Sequence, residues 1–351
     1  MSDISLTSRQ QKILILTEFN RSYSLTELRG LIADRVSIAT LRRDLSVLVA
    51  AGFFLQLGER KATRYQLNAA RQLLAPISAH RYCEIDIDSR AGNRDFNASL
   101  LESLPQSLFT QAEVDSLESA TRQFRNRGEG ASPTIIKKEL ERFVIELSWK
   151  SSKIEGNTYS LLDTELLLKE GIAATGRSPQ ETSMVLNHKR AFDFALTNRA
   201  EFRSPNQKVI RELHSLLVDN LGVSTGLRSR LIGITGSVYR PIQIPSQIQE
   251  ALDNLLKSIN DLVDPYSKAL LLLAGIGYLQ PFEDGNKRTS RLTTNATLMA
   301  FDCAPLSYRS VTEINYREAM LTFYERNTIV PLKEIFIQQY QFACENYLKF
   351  A

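Results

Sequence analysis

The sequence predicts a mainly α-helical protein in two parts: a small N-terminal domain of three helices closed by a β-hairpin, and a larger all-helical domain behind it. Three observations lead there. Apolar residues recur at helical spacing through most of the 351-residue chain, the period turns strand-like only briefly after Gly52, and the net charge of +4 is confined to one end. Residues 1–69 hold ten Lys/Arg against six Asp/Glu, and the remaining residues balance. That asymmetry points to a polyanion partner for the N-terminal end, with a solvated surface excess as the alternative. A hydrophobic content of 43% is ample for a sizeable core, which excludes a disordered or fibrous chain. No stretch approaches the roughly 18 to 20 apolar residues of a membrane span. The first residues, Met1 to Ser5, show no basic stretch leading into an apolar run. Cys83, Cys303 and Cys344 are scattered and form neither a ligand pair nor a disulfide framework. A cytoplasmic protein without a membrane partner is expected.

In the N-terminal domain, Ile13, Leu14, Leu16 and Phe19 suit one face of a first helix. Ser24 with Glu27 is a capping-box pattern for a second, whose buried side is Leu25, Leu28 and Ile32. Ser37 can cap a third, built on Ile38, Leu41, Leu45 and Leu48 and ended by Gly52. Residues 53–57 and 62–67 then alternate around a turn at Gly58-Glu59-Arg60-Lys61. Three short helices and a basic-tipped hairpin describe a winged helix-turn-helix over residues 1–69. In that fold the third helix enters the major groove of DNA, so Thr40, Arg42, Arg43 and Ser46 are placed to meet bases or phosphates, and Arg60 and Lys61 to meet the backbone from the wing. Residues 37–45, Ser-Ile-Ala-Thr-Leu-Arg-Arg-Asp-Leu, resemble recognition helices of sugar-responsive bacterial repressors. The same fold also docks proteins, and that alternative stays open.

Residues 70–133 read as a connector. Ile85-Asp86-Ile87-Asp88 alternates like an edge strand, residues 90–94 look like a turn, and residues 123–133 form a polar break whose arginines read as a solvated loop, with nucleic-acid contact as the alternative. From residue 134 to 351 the chain reads as successive amphipathic helices.

Within that region Gln280-Pro281-Phe282-Glu283-Asp284-Gly285-Asn286-Lys287-Arg288-Thr289-Ser290-Arg291 is a turn that opens into a helix. Gly285 lets the backbone approach a ligand, the helix N-terminus offers N–H groups, and Arg288 and Arg291 add charge three residues apart, which together make an anion site. Asp284 suits a Mg²⁺ ion held alongside a di- or triphosphate. A capped helix with surface arginines is the plainer reading.

The segment closely resembles the Fic (Fido) family signature, His-x-Phe-x-(Asp/Glu)-Gly-Asn-(Gly/Lys)-Arg-x-x-Arg, and the resemblance covers roughly residues 140–350. It implies an all-helical fold that binds ATP with Mg²⁺ and transfers AMP to a protein hydroxyl. By that resemblance Phe282 is a packing residue, Asp284 the metal ligand, Asn286 and the Gly285 backbone a phosphate cradle shared with Lys287, and Arg288 and Arg291 the partners of the outer phosphates. Ser151-Ser152-Lys153-Ile154-Glu155-Gly156 is similar to the family's inhibitory helix, in which Glu155 pairs with Arg291 and obstructs the γ-phosphate. Residues 231–239, including Ile234, Thr235, Gly236, Ser237, Val238 and Tyr239, resemble the hairpin flap that clamps a target segment by strand addition; a buried hairpin is the alternative.

One departure governs the expected function. The family's histidine, the general base that accepts the target hydroxyl's proton, is here Gln280. An amide has no useful basicity near neutral pH, and a general base contributes about 10²- to 10⁴-fold. None of His80, His188 or His214 lies near the signature in sequence. Lys287, also found in a family branch that transfers phosphate from a reversed nucleotide, leaves the binding orientation open. Three readings follow: a DNA-binding regulator with a nucleotide-binding but catalytically degenerate Fic domain, an adenylyltransferase restrained by Glu155, or a module that sequesters a target protein on its flap. A homodimer is expected by analogy with winged repressors that bind paired half-sites.

Overall fold

The computed structural model describes residues 6–32, 36–101 and 104–350. In chain order the elements are α1 (Ser8–Leu16), β1 (Ser22–Tyr23), α2 (Leu25–Ile32), α3 (Ile38–Ala50), β2 (Phe54–Leu57), β3 (Arg64–Leu67), α4 (Ala69–Gln72) and α5 (Ala79–Cys83). There follow α6 (Gln111–Arg127), α7 (Pro133–Ile154), α8 (Leu161–Glu170), α9 (Pro179–Thr197), α10 (Gln207–Leu217), α11 (Pro245–Asp261), α12 (Pro265–Leu279), α13 (Asn286–Ala300), α14 (Glu313–Arg326) and α15 (Val330–Asn346). The predicted mainly helical class is thus observed. Among the described residues no helix is long and apolar enough to cross a membrane.

The chain divides into two compact units. The first comprises Met1–Ser103, Gly233–Pro241 and Ile314–Lys333, and the second Leu104–Ile232, Ile242–Glu313 and Glu334–Ala351.

In the first unit the predicted helices stand where their caps place them. The Ser24 backbone N–H donates to Glu27 Oε2 at 2.7 Å, and Glu27 N–H returns to Ser24 Oγ at 3.2 Å. Ser37 Oγ accepts from Thr40 N–H at 3.1 Å to start α3. At the far end Gly52 takes φ +79°, so that Gly52 N–H reaches Val49 O and Phe53 N–H reaches Leu48 O, and the helix stops. Strands β1, β3 and β2 form an antiparallel sheet in that order, with Phe54 opposite Leu67 and Ser22 opposite Gln66. Ile13, Leu28, Leu41, Leu45, Leu48 and Phe54 share one core with residues further along the chain, Ala75, Ile77 and Tyr82.

That core corrects the connector expectation. Residues 70–101 are packed into the first unit, and where an edge strand was expected at 85–88 the chain bends after α5 into a single 3-10 turn, Ile87–Ser89. The Asp86 carboxylate accepts from Asp88 N–H at 3.1 Å, a local side-chain bond that replaces ladder pairing. The polar break at 123–133 starts later than expected, because α6 continues to Arg127. Its arginines Arg125 and Arg127 therefore stand exposed on a helix rather than in a loop, and both reach the ends of neighbouring helices. Arg125 donates to Phe301 O and Asp302 O at the end of α13, and Arg127 to Cys344 O in α15.

In the second unit, α12 and α13 are buried on nearly every side, joined by the turn 280–285, and surrounded by α7, α9, α10 and α11. A helix apolar all round belongs at the centre of such a bundle, and α12 is one. Its partner α13 is polar, yet every residue except Lys287 is buried. A polar helix at the centre of a bundle is where a site is expected.

Candidate nucleotide site

The turn between α12 and α13 is built from its own backbone and from one arginine. Gln280 ends α12 in the left-handed region, φ 50° and ψ 60°, a conformation that costs a side-chain-bearing residue about 1 kcal/mol. Its amide Nε2 turns back to Gly277 O at 2.5 Å, so the side chain closes the helix it terminates. Two residues on, Phe282 N–H donates to Asn286 Oδ1 at 2.9 Å while Asn286 Nδ2 donates to Phe282 O at 2.8 Å. This reciprocal clasp fixes the three residues between them, Glu283, Asp284 and Gly285. Gly285 has φ +75°, and a Cβ there would come within 3.0 Å of Val218 Cγ1 and 3.4 Å of His214 Cε1, so a larger residue is excluded twice.

Arg228, which sequence reasoning missed, holds the turn from outside. It is 1% exposed; its Nε donates to Gln280 O at 2.6 Å, its backbone N–H to Pro281 O at 3.0 Å, and its other guanidinium nitrogens to Arg230 O and Ile242 O. Nothing in Gly226-Leu227-Arg228 distinguishes it from a surface arginine in sequence.

The first intrahelical bond of α13 runs from Thr289 N–H to Gly285 O at 2.8 Å, so the N–H groups of Asn286, Lys287 and Arg288 precede it at the positive end of the helix. Two buried guanidinium groups stand behind them. Arg288, 1% exposed, reaches Asp284 Oδ2 at 3.2 Å and leaves Nε without a hydrogen-bond partner among the described residues. Arg291, fully buried, donates Nε to Ser151 Oγ and Nη2 to Ser151 O, both at 2.9 Å, and meets Glu155 Oε1 at 2.9 Å. Lys287 Nζ lies 3.5 Å from Glu155 Oε2. Burial works to raise the Glu155 pKa, but Arg291 and Lys287 outweigh it and hold the carboxyl below its ordinary value. Glu155 caps the end of α7, where Gly156 at φ +94° turns the chain away. The residues expected at the signature and at the inhibitory helix are therefore brought together.

Two histidines far off in sequence arrive at the same place. The His214 ring stacks on Phe282 at 3.7 Å between centroids, 6° from parallel, with Nδ1 3.1 Å from Thr289 Oγ1. Burial lowers its pKa to about 4. Burial first, and then Arg291 and Arg288, lower that of His188 to about 3. Both rings are 0% exposed and neutral at pH 7, so neither is placed as a base that meets an incoming hydroxyl.

Residues 204–298, which contain this turn and helix, match the model of the Fic/DOC family. They form a Fic domain. Among curated proteins the chain is 27% identical over 169 residues to "Protein adenylyltransferase fic-1" of Caenorhabditis elegans, covering 46% of this chain and 33% of that one. It is 24% identical over 250 residues to "Protein adenylyltransferase Fic" of Nematostella vectensis, covering 66% and 54%. The chain thus spans about a third to a half of these relatives' length. Among solved structures it superposes on Fic-1 of C. elegans with a TM-score of 0.59 at 20% identity, over 67% of this chain and 72% of that one. On a Fic family protein from Desulfovibrio desulfuricans G20 the TM-score is 0.55 at 20% identity, over 69% and 75%. At such identities the superpositions establish a shared fold.

The flap residues Ile234, Thr235, Gly236, Ser237, Val238 and Tyr239 belong to the first unit. The expected hairpin is a turn at Thr235-Gly236 without paired arms; its backbone pairing is a single parallel bridge between Arg240 and Asp95. Side-chain anchoring replaces the ladder, with Ser237 Oγ and Val238 N–H donating to the buried Glu325 carboxylate at 2.6 and 3.2 Å.

Of the residues expected to face DNA, Arg42 and Arg43 are exposed on α3 and Arg60 at the hairpin tip. Thr40 is half-buried beside its cap, its hydroxyl 2.9 Å from Ser37 Oγ, and Ser46 Oγ donates to Arg42 O at 2.9 Å. The Lys61 side chain lies outside the described part of the structure.

Proposed function

We propose that this chain is a DNA-binding regulator: a winged helix-turn-helix reads an operator, and the Fic domain binds a nucleotide that it does not transfer. The observation that carries the second half is Gln280. Its amide is tied to Gly277 O, it has no proton affinity to offer, and the nearby histidines are buried. What supports nucleotide binding is the excess of buried cationic donors. Arg288 and Arg291 face one half-buried carboxylate, Glu155, and an exposed one, Asp284, with an Arg288 donor still unmet. Such donors favour a polyanion strongly.

Under this reading the α13 N-terminus and the Gly285–Asn286 backbone cradle the inner phosphates, and Arg288 and Arg291 take the outer ones once Glu155 withdraws. Asp284 fits as a single-carboxylate ligand for Mg²⁺. Its side chain is 66% exposed, and among the described residues no three His, Cys, Asp or Glu side chains converge, so phosphate oxygens and water would complete the coordination. Bound there, the ion would neutralise phosphate charge.

The DNA half rests on exposed Arg42, Arg43 and Arg60 on a three-helix and hairpin unit that carries the whole net positive charge of the sequence. A second reading, an adenylyltransferase restrained by Glu155, is favoured by the 2.9 Å Glu155–Arg291 contact and by the names of the curated relatives. Selection of duplex DNA from a random pool by the full chain, with and without ATP and Mg²⁺, tests the leading reading. An enriched sequence whose affinity changes with ATP supports it, and failure to enrich any sequence contradicts it.

A further inference from the structure

The phosphate turn rests on the last turn of α10, and three contacts make the seat. The His214 ring lies flat on Phe282, Val218 fills the space beside Gly285 where a Cβ would come within 3.0 Å of it, and Leu217 O accepts from Arg288 Nη1 at 3.4 Å. Leu217 O is available because α10 ends there. The Leu221 N–H, which one more helical turn would bring to it, goes to Val218 O instead. The negative end of a helix also favours a guanidinium beside it.

Left to itself, that helix end would compete with a ligand for Arg288. Its orphan carbonyls need donors, and Arg288 already touches one of them. Asn187 of α9 meets the need. The residue is 3% exposed, and its Nδ2 donates to Asp219 O at 2.6 Å and more weakly to Leu217 O at 3.5 Å. An amide brings donors without charge, so it does not repel the guanidinium that shares Leu217 O with it. One turn along α9, Arg190 meets the Asp219 carboxylate at 2.7 Å, but those side chains are 53% and 41% exposed and hold the loop only weakly. Arg288 is left with one long bond to Leu217 O, one of 3.2 Å to Asp284, and an Nε without a partner among the described residues.

We infer that Asn187 is a positioning residue of the phosphate site: it satisfies the carbonyls at the end of α10, holds that end against the turn, and so leaves Arg288 to an incoming outer phosphate. The inference rests on the reading of this site as a nucleotide site. Without the Asn187 amide the two carbonyls draw on Arg288, and a phosphate has to win the guanidinium from them. The effect falls on the outer phosphates, which Arg288 serves, and spares the inner one at the α13 N-terminus.

Calorimetry of ATP and of AMP on the full chain tests this, with Asn187→Ala, Arg288→Ala and the double variant, each in the native and the Glu155→Gly chain. Asn187→Ala should weaken ATP binding about tenfold and leave AMP within about twofold. Beside Arg288→Ala it should add nothing, since Asn187 acts through that arginine. Asn187→Leu, which keeps the volume and removes the donors, gives the same comparison if the alanine variant does not fold. Unchanged ATP affinity, a loss shared equally by AMP, or a loss that adds in full to that of Arg288→Ala overturns the inference and leaves nucleotide binding standing. Absence of ATP binding in both the native and the Glu155→Gly chain removes the nucleotide reading, and the inference with it.

Discussion

Glu155 Oε1 lies 2.9 Å from Arg291 Nη1, in a pocket where the arginine is fully buried and Ser151 takes two of its other donors. A phosphate that uses Arg291 competes with a carboxylate already seated there, and Lys287, 3.5 Å from the second Glu155 oxygen, tightens the hold.

Glu155→Gly is therefore expected to strengthen ATP binding at least about tenfold by calorimetry, because the ligand no longer displaces a charged side chain. The same substitution strands two cations, so the unliganded variant should lose about 3 kcal/mol of stability. Saturating ATP should raise its Tm more than it raises the native value. Unchanged affinity would mean that phosphate does not use Arg291.

Stability should fall on mild acidification for a reason located at this site. His188 and His214 have pKa values lowered to about 3 and about 4, against an ordinary 6.5, so the unfolded chain takes up protons that the folded chain refuses. Each contributes a loss of about 1.4 kcal/mol per pH unit as pH drops from 6.5 towards the folded value. The lowered carboxyl of Glu155 acts further down: its stabilisation is complete above its ordinary 4.5 and is lost as pH falls through its folded value. Thermal scans of His188→Asn between pH 7 and 5 should show about half the native slope from the pair. An unaltered slope would place that titration elsewhere.

On the N-terminal unit, Arg42→Ala and Arg43→Ala should weaken DNA binding and each reduce the slope of log affinity against log salt by about 0.9 if the side chain meets a phosphate. A loss that varies with sequence while the slope stays constant would mark a base contact instead. Mobility shifts over a salt series separate the two.

The helices of the first unit were legible because their caps are local: Ser24, Ser37 and Gly52 each act within a few residues. The signature turn was legible because its chemistry is contiguous from Gln280 to Arg291. What sequence could not show was brought from a distance. Arg228 pins the turn from some fifty residues away, His214 packs under Phe282 from nearly seventy, and neither has a local pattern. Residues 70–101 looked like a connector because their polar surface hides the buried Ala75, Ile77 and Tyr82. The flap hairpin was expected from the resemblance alone, and no local pattern could show that Glu325 of α14 satisfies the polar groups of Ser237 and Val238 in place of a ladder.

The most direct test of the central claim is transfer of labelled AMP from ATP by the Glu155→Gly chain, compared with the same chain carrying Gln280→His. Silence is expected from the first and transfer from the second, with a gain of about 10²- to 10⁴-fold. Transfer of comparable rate with Gln280 in place would contradict it and make this chain a working enzyme held by Glu155.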